Sequence, residues 1–323
     1  MAAGIQRAGR RMTDDQASKQ TGGVRAAERS GIVTLVGRAN VGKSTLLNRF
    51  TGEKVSIVSD VAQTTRNLIR AVLTEARGQL VFLDTPGLHQ ASYDLGRIMN
   101  RTARTAIEGT DICLFLVDAS LPPREEDRTW MRRLAKAEST CVPVLNKADK
   151  HCKFASEYQE YWGACCAEQA ADTGAEWQTI SALTGAGTEQ LLATLFEKVP
   201  PGPQLFPDDL LTDFPRKLAM ADLIREKLFL LLRDEVPHAV AVQVNRIEDA
   251  DDPWSVFATI YVNRPSQNGI IIGHKGRFLR KVRRQSEADL EQIYEHPVHL
   301  ELWVKVEKHW ARNHWILKQL GYV

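Results

Sequence analysis

The feature that most constrains this chain is the stretch Gly37-Arg38-Ala39-Asn40-Val41-Gly42-Lys43-Ser44-Thr45. A glycine, four residues and then Gly-Lys-Ser is the spacing of a loop that cradles phosphates between a strand and a helix. The flanks agree. Ile32-Val33-Thr34-Leu35-Val36 is an apolar run that reads as a buried strand, and Thr45–Phe50 reads as the start of a helix. Gly37 and Gly42 permit backbone angles that a side chain forbids. The loop N–H groups can then point inward at phosphate oxygens, with the helix N-terminus adding partial positive charge. Lys43 is placed to reach the β- and γ-phosphates, and the Ser44 hydroxyl to take one position on Mg²⁺.

Downstream motifs extend this reading. Glu53–Arg66 is polar and ends in Thr64-Thr65-Arg66. A threonine hydroxyl here can complete the Mg²⁺ shell while the γ-phosphate is present and let go after hydrolysis. Leu68–Thr74 and Leu80–Leu83 read as a hairpin, followed by Asp84-Thr85-Pro86-Gly87. Asp84, at the end of a buried strand, can hold Mg²⁺ through water, and the Gly87 N–H is placed to sense the γ-phosphate. Leu88 follows, where many small GTPases carry a glutamine that orients water. Leucine cannot do this, so either another group positions the water or intrinsic hydrolysis is slow.

Ile112–Val117 and Cys141–Leu145 read as further buried strands, the second leading into Asn146-Lys147-Ala148-Asp149. The Asp149 carboxylate can accept hydrogen bonds from both N1–H and the exocyclic amine of guanine. Adenine lacks that amine and would leave the carboxylate unpaired. Asn146 can tie this loop to the phosphate loop, and the Lys147 stem can pack on the base. Ser181-Ala182-Leu183 follows a short strand and can bring a backbone N–H near guanine O6. Strands alternating with helices over residues 31–199 predict a doubly wound α/β domain with its ligand at the C-terminal strand ends.

Pro200, Pro201, Pro203 and Pro207 then interrupt regular structure and mark a linker over 200–215. With 323 residues there is room for a second domain, over 216–323. Residues 216–233 read as an amphipathic helix, and Ala239–Ile247, Trp254–Val262 and Val298–Val306 as strands. Asn268–Ile272 is an apolar run after a turn, and Arg277–Tyr294 is a helix. Between these lies Gly273-His274-Lys275-Gly276. Two glycines let the backbone approach a sugar-phosphate chain. Lys275, Arg277, Arg280, Lys281, Arg283 and Arg284 follow with no acid before Glu287, giving a cationic face for a single strand, and Ile270, Ile271 and Ile272 offer a floor for bases. His309, Trp310, His314 and Trp315 fall at helical spacing, which points to packing rather than to a metal.

Composition limits the setting. The net charge of +2 says little about partners. Five cysteines without a Cys-x-x-Cys pair match neither a zinc site nor a disulfide framework, which favours a reducing cytoplasm. No apolar stretch reaches the ~18 residues of a membrane span. Residues 1–29 read as a flexible tail. The alternative, an organelle transit peptide, is opposed by Asp14, Asp15 and Glu28.

Together these motifs resemble the Era GTPases over nearly all of residues 30–323. The guanine-nucleotide set is complete and in order: Gly37–Ser44, Thr64-Thr65, Asp84–Gly87, Asn146–Asp149 and Ser181–Leu183. The C-terminal half resembles the family's type II KH domain at Ile224–Lys227, Ile272–Gly276, Pro297–Val306 and Leu320-Gly321-Tyr322. The resemblance implies a P-loop GTPase domain over 30–199 followed by an α+β KH domain. It implies GTP/GDP and Mg²⁺ as ligands, hydrolysis of GTP, and recognition of the 3′ end of small-subunit ribosomal RNA during 30S assembly. Lys43, Thr65 and Gly87 are the expected catalytic group. Gly37, Asn40, Val41, Gly42, Ser44, Thr45, Asp84, Asn146, Lys147, Asp149, Ser181, Ala182 and Leu183 join Lys43 and Gly87 on the nucleotide. Ser44, Thr65 and Asp84 are the expected metal set, and Ile272–Arg277, Arg280 and Lys281 the RNA-binding set. Some related GTPases bind K⁺ through an asparagine at the position of Asn40, which makes K⁺ a further candidate cofactor. The family is cytoplasmic, with peripheral inner-membrane contact, and the chain is expected to be a monomer. Ala39 stands where proline is usual, Thr212-Asp213-Phe214-Pro215 replaces an arginine-bearing pattern, and the segment before Gly273 is less basic than usual. The rival reading is a GTPase acting at the membrane or in cell-cycle control. A GTPase for transfer-RNA modification is weaker still, because the chain lacks the C-terminal cysteine for that chemistry.

Overall fold

The computed structural model describes residues 5–6, 29–58, 65–87, 94–169, 176–232, 236, 239–250 and 252–322. Thr64, Leu88 and nearly all of the expected tail lie outside them. The first domain is built on an eight-stranded sheet. Its strands are β1 (Ile5–Gln6), β2 (Arg29–Val36), β3 (Ile69–Glu75), β4 (Gly78–Asp84), β5 (Ile112–Asp118), β6 (Thr140–Asn146), β7 (Gln178–Thr179) and β8 (Leu210–Thr212), in the order β1-β8-β3-β4-β2-β5-β6-β7. From β4 to β7 neighbours run parallel, whereas β3 is antiparallel to β4 as the hairpin reading requires.

Alternation along the strands feeds two cores. Ile112, Leu114 and Leu116 of β5 face a layer containing Leu46, Leu47, Leu191 and Leu195. Cys113, Phe115 and Val117 face Trp130, Met131, Tyr158 and Trp162. The first layer is supplied by helices α1 (Lys43–Thr51) and α5 (Thr188–Lys198), the second by α3 (Glu125–Leu134) and α4 (Ala155–Glu168). A strand covered on both faces must be apolar on both, which is why β5 reads as an unbroken apolar run. Helix α2 (Asp94–Thr105) follows the Asp84–Gly87 turn.

The second domain has a three-stranded sheet, β9 (Ala241–Glu248), β10 (Trp254–Val262) and β11 (Val298–Val306), in the order β11-β10-β9. Strand β10 runs parallel to β11 and antiparallel to β9. Helices α6 (Arg216–Leu231), α7 (Pro265–Ile272) and α8 (Arg277–Tyr294) pack with it around one apolar core.

Four expectations need correction. The expected linker carries β8, which pairs with β3 at Ala71↔Thr212 and extends the first sheet; an open strand edge leaves backbone groups that need partners. The 216–233 helix is not amphipathic, because Met220 to Phe229 are all buried, among them Asp222, Arg225, Glu226 and Lys227. Its polar side meets the first domain instead of solvent. The Asn268–Ile272 run belongs to α7, which starts at Pro265 with the N–H groups of Asn263 and Arg264 donating to Gln267 Oε1. Helical rotation buries Ile271 and leaves Ile270 and Ile272 exposed, so the three isoleucines do not form one floor. The His309–Trp315 pattern is split into a short 3₁₀ turn (Trp310–Arg312) and α9 (His314–Gln319), with the Asn313 side chain capping Trp315 and Ile316. No group of three histidine, cysteine, aspartate or glutamate side chains placed to hold a metal ion occurs among the described residues.

Candidate nucleotide site and nucleic-acid face

The phosphate loop turns out of β2 at Gly37 (φ +147°) and enters α1 at Gly42 (φ +102°). Both glycines are also packed against backbone or side chain. A Cβ on Gly37 would lie 2.4 Å from the Leu116 carbonyl oxygen, and one on Gly42 2.3 Å from Asn146 Nδ2. Lys43 curls back over the loop, its Nζ donating to the carbonyls of Gly37 (3.1 Å) and Arg38 (3.0 Å). Burial pulls its pKa down to about 8, against the opposing pull of Asp84. A buried ammonium inside a ring of backbone amides is a site for polyanionic phosphate.

Beside it, the three expected metal residues converge. Ser44 Oγ donates to Asp84 Oδ2 (2.7 Å) and lies 3.0 Å from Thr65 Oγ1. Asp84 is fully buried, and burial pushes its carboxyl upward against Lys43 and the hydroxyl donors. Its Oδ1 has no hydrogen-bond partner. An all-oxygen set of two hydroxyls and a buried carboxylate with an unpaired oxygen fits Mg²⁺. Gly87 presses on the phosphate loop, where a Cβ would lie 2.7 Å from the Ala39 nitrogen.

Ser56 is a member of this cluster that sequence reasoning missed. Its Oγ donates to Asp84 Oδ2 at 2.8 Å. Asn48 of α1 places it, with Oδ1 accepting from the N–H groups of Val55 and Ser56 and Nδ2 donating to the Ser56 carbonyl. The only sequence signal was a serine in a polar stretch, which is no signal.

The base end is assembled by Asn146. Its Nδ2 donates to the Val41 carbonyl (2.7 Å) and its Oδ1 accepts from the Ala182 N–H (2.9 Å), so one amide joins three loops. Of the Ser181–Leu183 stretch expected to bring a backbone N–H near the base, the Ala182 N–H is engaged by Asn146 here. Lys147 Nζ pairs with Asp118 Oδ2 at 2.8 Å, which fixes the stem expected to lie on the base. Asp149 is exposed, and its Oδ1 accepts from Ser181 Oγ. Arg49 donates to the carbonyls of Ala182 and Leu183 and holds this loop from α1. A cleft runs between these groups, lined by Asn40, Gly42–Thr45, Thr65, Gly87, Asn146, Lys147, Asp149, Ala182 and Leu183, with Ile57 and Val58 added by the structure.

The second domain presents its own surface. Gly273 (φ +68°) and Gly276 (φ +73°) bracket a tight turn before α8, and a Cβ on Gly273 would lie 2.6 Å from Phe278 Cβ. Ile272, His274, Lys275, Arg277, Arg280 and Lys281 are exposed along it. A groove between α8 and β11 continues from Gly276 past Arg280 and Arg283 to Trp303, whose ring is 65% exposed. Trp303 was also missed, because within an alternating strand it reads as packing. An exposed ring beside a row of cations is a stacking platform for bases.

Comparison with known proteins finds relatives that cover both domains. Residues 32–147 match the family described as 50S ribosome-binding GTPase, and residues 235–311 match the KH domain. The chain is 43% identical over 301 residues to the GTPase Era of Geobacter metallireducens, covering 91% of this chain and 98% of that protein. It is 40% identical over 296 residues to the GTPase Era of Crocosphaera subtropica, covering 91% and 92%. A crystal structure of Era in complex with MgGDPNP and nucleotides 1506–1542 of 16S ribosomal RNA superposes with a TM-score of 0.84 at 37% identity, covering 92% of this chain and 99% of that one. An Aquifex aeolicus Era variant bound to GDP.AlF4- superposes with a TM-score of 0.83 at 36% identity, covering 91% and 99%.

Proposed function

Since this chain belongs to the Era family of GTPases, we propose that it is a GTP-gated switch that binds the 3′ end of 16S ribosomal RNA and assists 30S subunit assembly. It is a GTPase with a P-loop domain and a KH domain. The observation that carries the RNA reading is the Gly273–Gly276 turn, which opens a helix with an exposed cationic start beside Trp303. Phosphates pass close to the glycines while bases reach the ring.

In the first domain, Lys43 and the loop amides hold the phosphates, and Asp149 selects guanine. Ser44, Thr65 and Asp84 would hold Mg²⁺, which when bound neutralises charge on the β- and γ-oxygens. Gly87 packs against the phosphate loop because it lacks a Cβ, and its N–H would sense the γ-phosphate from there. Asn40 lines the same cleft with a left-handed backbone (φ +63°), and we assign it the K⁺ contact; hydrolysis should then run faster in KCl than in NaCl. We place the protein in the cytoplasm as a monomer, with membrane contact at most peripheral. No helix among the described residues is long and apolar enough to cross a membrane.

The test is fluorescence anisotropy with an RNA of the 16S 3′-terminal sequence, with GDP or a non-hydrolysable GTP analogue bound. Tighter binding with the analogue is expected. Arg280→Glu should weaken binding and flatten the log–log salt slope by about 1 for the lost phosphate contact. RNA affinity that is absent, or the same with either nucleotide, refutes the reading. Co-sedimentation with anionic liposomes in preference to 30S subunits would favour the membrane reading instead.

A further inference from the structure

Thr65 and Arg66 are neighbours that face opposite ways. Thr65 Oγ1 points at Ser44 in the metal cluster. Arg66 is buried in the second domain, where its Nη1 donates to the Val240 carbonyl at 2.9 Å. Its guanidinium lies over two rings, 5.7 Å from the centroid of Phe229 on α6 and 5.5 Å from that of Trp310. Trp310 is fixed in turn by its Nε1 donating to the Ala239 carbonyl. The Tyr322 hydroxyl lies beside Arg66 and accepts from Arg225 at 2.8 Å.

Another hydroxyl of the cluster, that of Ser56, is tethered in a similar manner. Two residues before Ser56, Lys54 Nζ reaches Glu226 of α6 and Asp289 of α8 at 3.1 and 2.8 Å. The helix after Gly87 is held too, because Leu95 and Met99 of α2 pack in one cluster with Trp310, Leu317 and Tyr322. The segment that begins at Thr65 is thus gripped immediately beyond that residue by side chains of the KH domain.

We propose that Arg66 is a positioning residue for GTP hydrolysis, fixing Thr65 at the metal from its seat in the KH domain so that the C-terminal segment sets how readily the metal shell closes. The geometry is mechanical. A planar guanidinium that contacts two rings and donates to one carbonyl allows little rotation, and a displacement of that residue is carried to the neighbouring Cα. The inference rests on the GTP-switch reading and names its internal linkage.

The test is single-turnover GTP hydrolysis by the full chain across a Mg²⁺ titration, with GDP affinity measured alongside. Arg66→Ala should lower the rate at least about tenfold and raise the Mg²⁺ needed for half-maximal rate several-fold, with GDP affinity within about twofold of the unsubstituted protein. Arg66→Lys should not restore the rate, because an ammonium lacks the flat face that the rings hold. A residue that only glues the domains would lower Tm and leave the Mg²⁺ response alone, and that result overturns the proposal. If Arg66→Ala fails to fold, Tyr322→Phe decides. A two- to five-fold loss of rate with a raised Mg²⁺ requirement supports the proposal, and an unchanged response overturns it. The RNA assay separates the two levels. Should the unsubstituted protein bind 16S 3′-end RNA alike with either nucleotide, the switch reading fails. Should it discriminate, and Arg66→Ala discriminate equally, only the role of Arg66 fails.

Discussion

Exchanging Asp149 for asparagine tests the guanine assignment most directly. The carboxylate is exposed at the cleft, and its Oδ1 is oriented by Ser181 Oγ, which also accepts from the Thr184 N–H at 3.1 Å. Asparagine has the same shape and can still accept from Ser181 and from guanine N1–H. Its amide N–H₂, however, would face the guanine amine, donor against donor. The change removes one charge-assisted hydrogen bond, about 1.5–3 kcal/mol, and leaves an unpaired donor that costs about 1–3 kcal/mol more. The sum corresponds to roughly 10²- to 10⁴-fold weaker GTP binding, at 1.4 kcal/mol per tenfold. Xanthine carries a carbonyl where guanine has the amine, so Asp149→Asn should prefer XTP over GTP. Because the side chain is exposed, folding stability should move by less than about 0.5 kcal/mol. Calorimetric titration of GTP, XTP and ATP into both proteins reads all of this. A loss of GTP affinity below threefold, or XTP binding no better than in the unsubstituted protein, would refute the placement of Asp149 on the base edge.

Two further outcomes follow from the same coordinates. Gly87→Ala puts a methyl 2.7 Å from the nitrogen and 2.8 Å from the Cα of Ala39, and backbone cannot yield as a side-chain end can; single-turnover hydrolysis should fall at least about tenfold while GDP affinity holds. Asp289 bears on pH, since burial would raise its carboxyl but hydrogen bonds from Lys227 and Lys54, at 2.5 and 2.8 Å, hold it below the usual range. A depressed folded pKa contributes stability that is present above the unfolded value of about 3.9 and lost as pH falls through the folded one. Asp289→Asn should therefore cost about 1–2 kcal/mol at pH 7 by urea denaturation, with the two proteins converging below about pH 4; a gap that persists at acid pH would show that the ion pairs are not its source.

The nucleotide site was legible because its chemistry is local. Gly37, Gly42, Lys43 and Ser44 lie on one turn, and their spacing alone fixes what they can hold. Asp84 and Asn146 sit at strand ends, where an apolar run delivers a polar residue to the same sheet edge. Ser56 was not legible, because it reaches Asp84 only through the Asn48 bracket, a tertiary arrangement with no spacing rule. Strand β8 was hidden for a related reason: three residues after a proline-rich run have no periodicity to display, and only the open edge of β3 makes them a strand. Trp303 and Ile271 are the two halves of one ambiguity. Alternation and rotation say which residues share a face, and not which face another element covers.

Helix α6 shows what that ambiguity conceals. Its leucines read as one apolar stripe with a solvated back, and the back turns out to be the domain junction. Asp222, Arg225, Glu226 and Lys227 are buried there together with Arg66 of the first domain, and Lys54 reaches in to Glu226. Asp222 Oδ2 and the Nε atoms of Arg225 and Arg66 have no hydrogen-bond partner. A junction of this composition is expensive to desolvate and gains little net free energy from its ion pairs. An apolar cluster around Trp310 adds to it, with Leu95 and Met99 of α2 beside Leu317 and Tyr322. Two domains joined by a broad hydrophobic face would move as one body. Joined largely by buried charge, they are held in register at a smaller net gain, and on the proposed switch reading the presence or absence of one phosphate contact would then decide the arrangement. The same polar residues that made α6 look like a surface helix are the ones the junction buries.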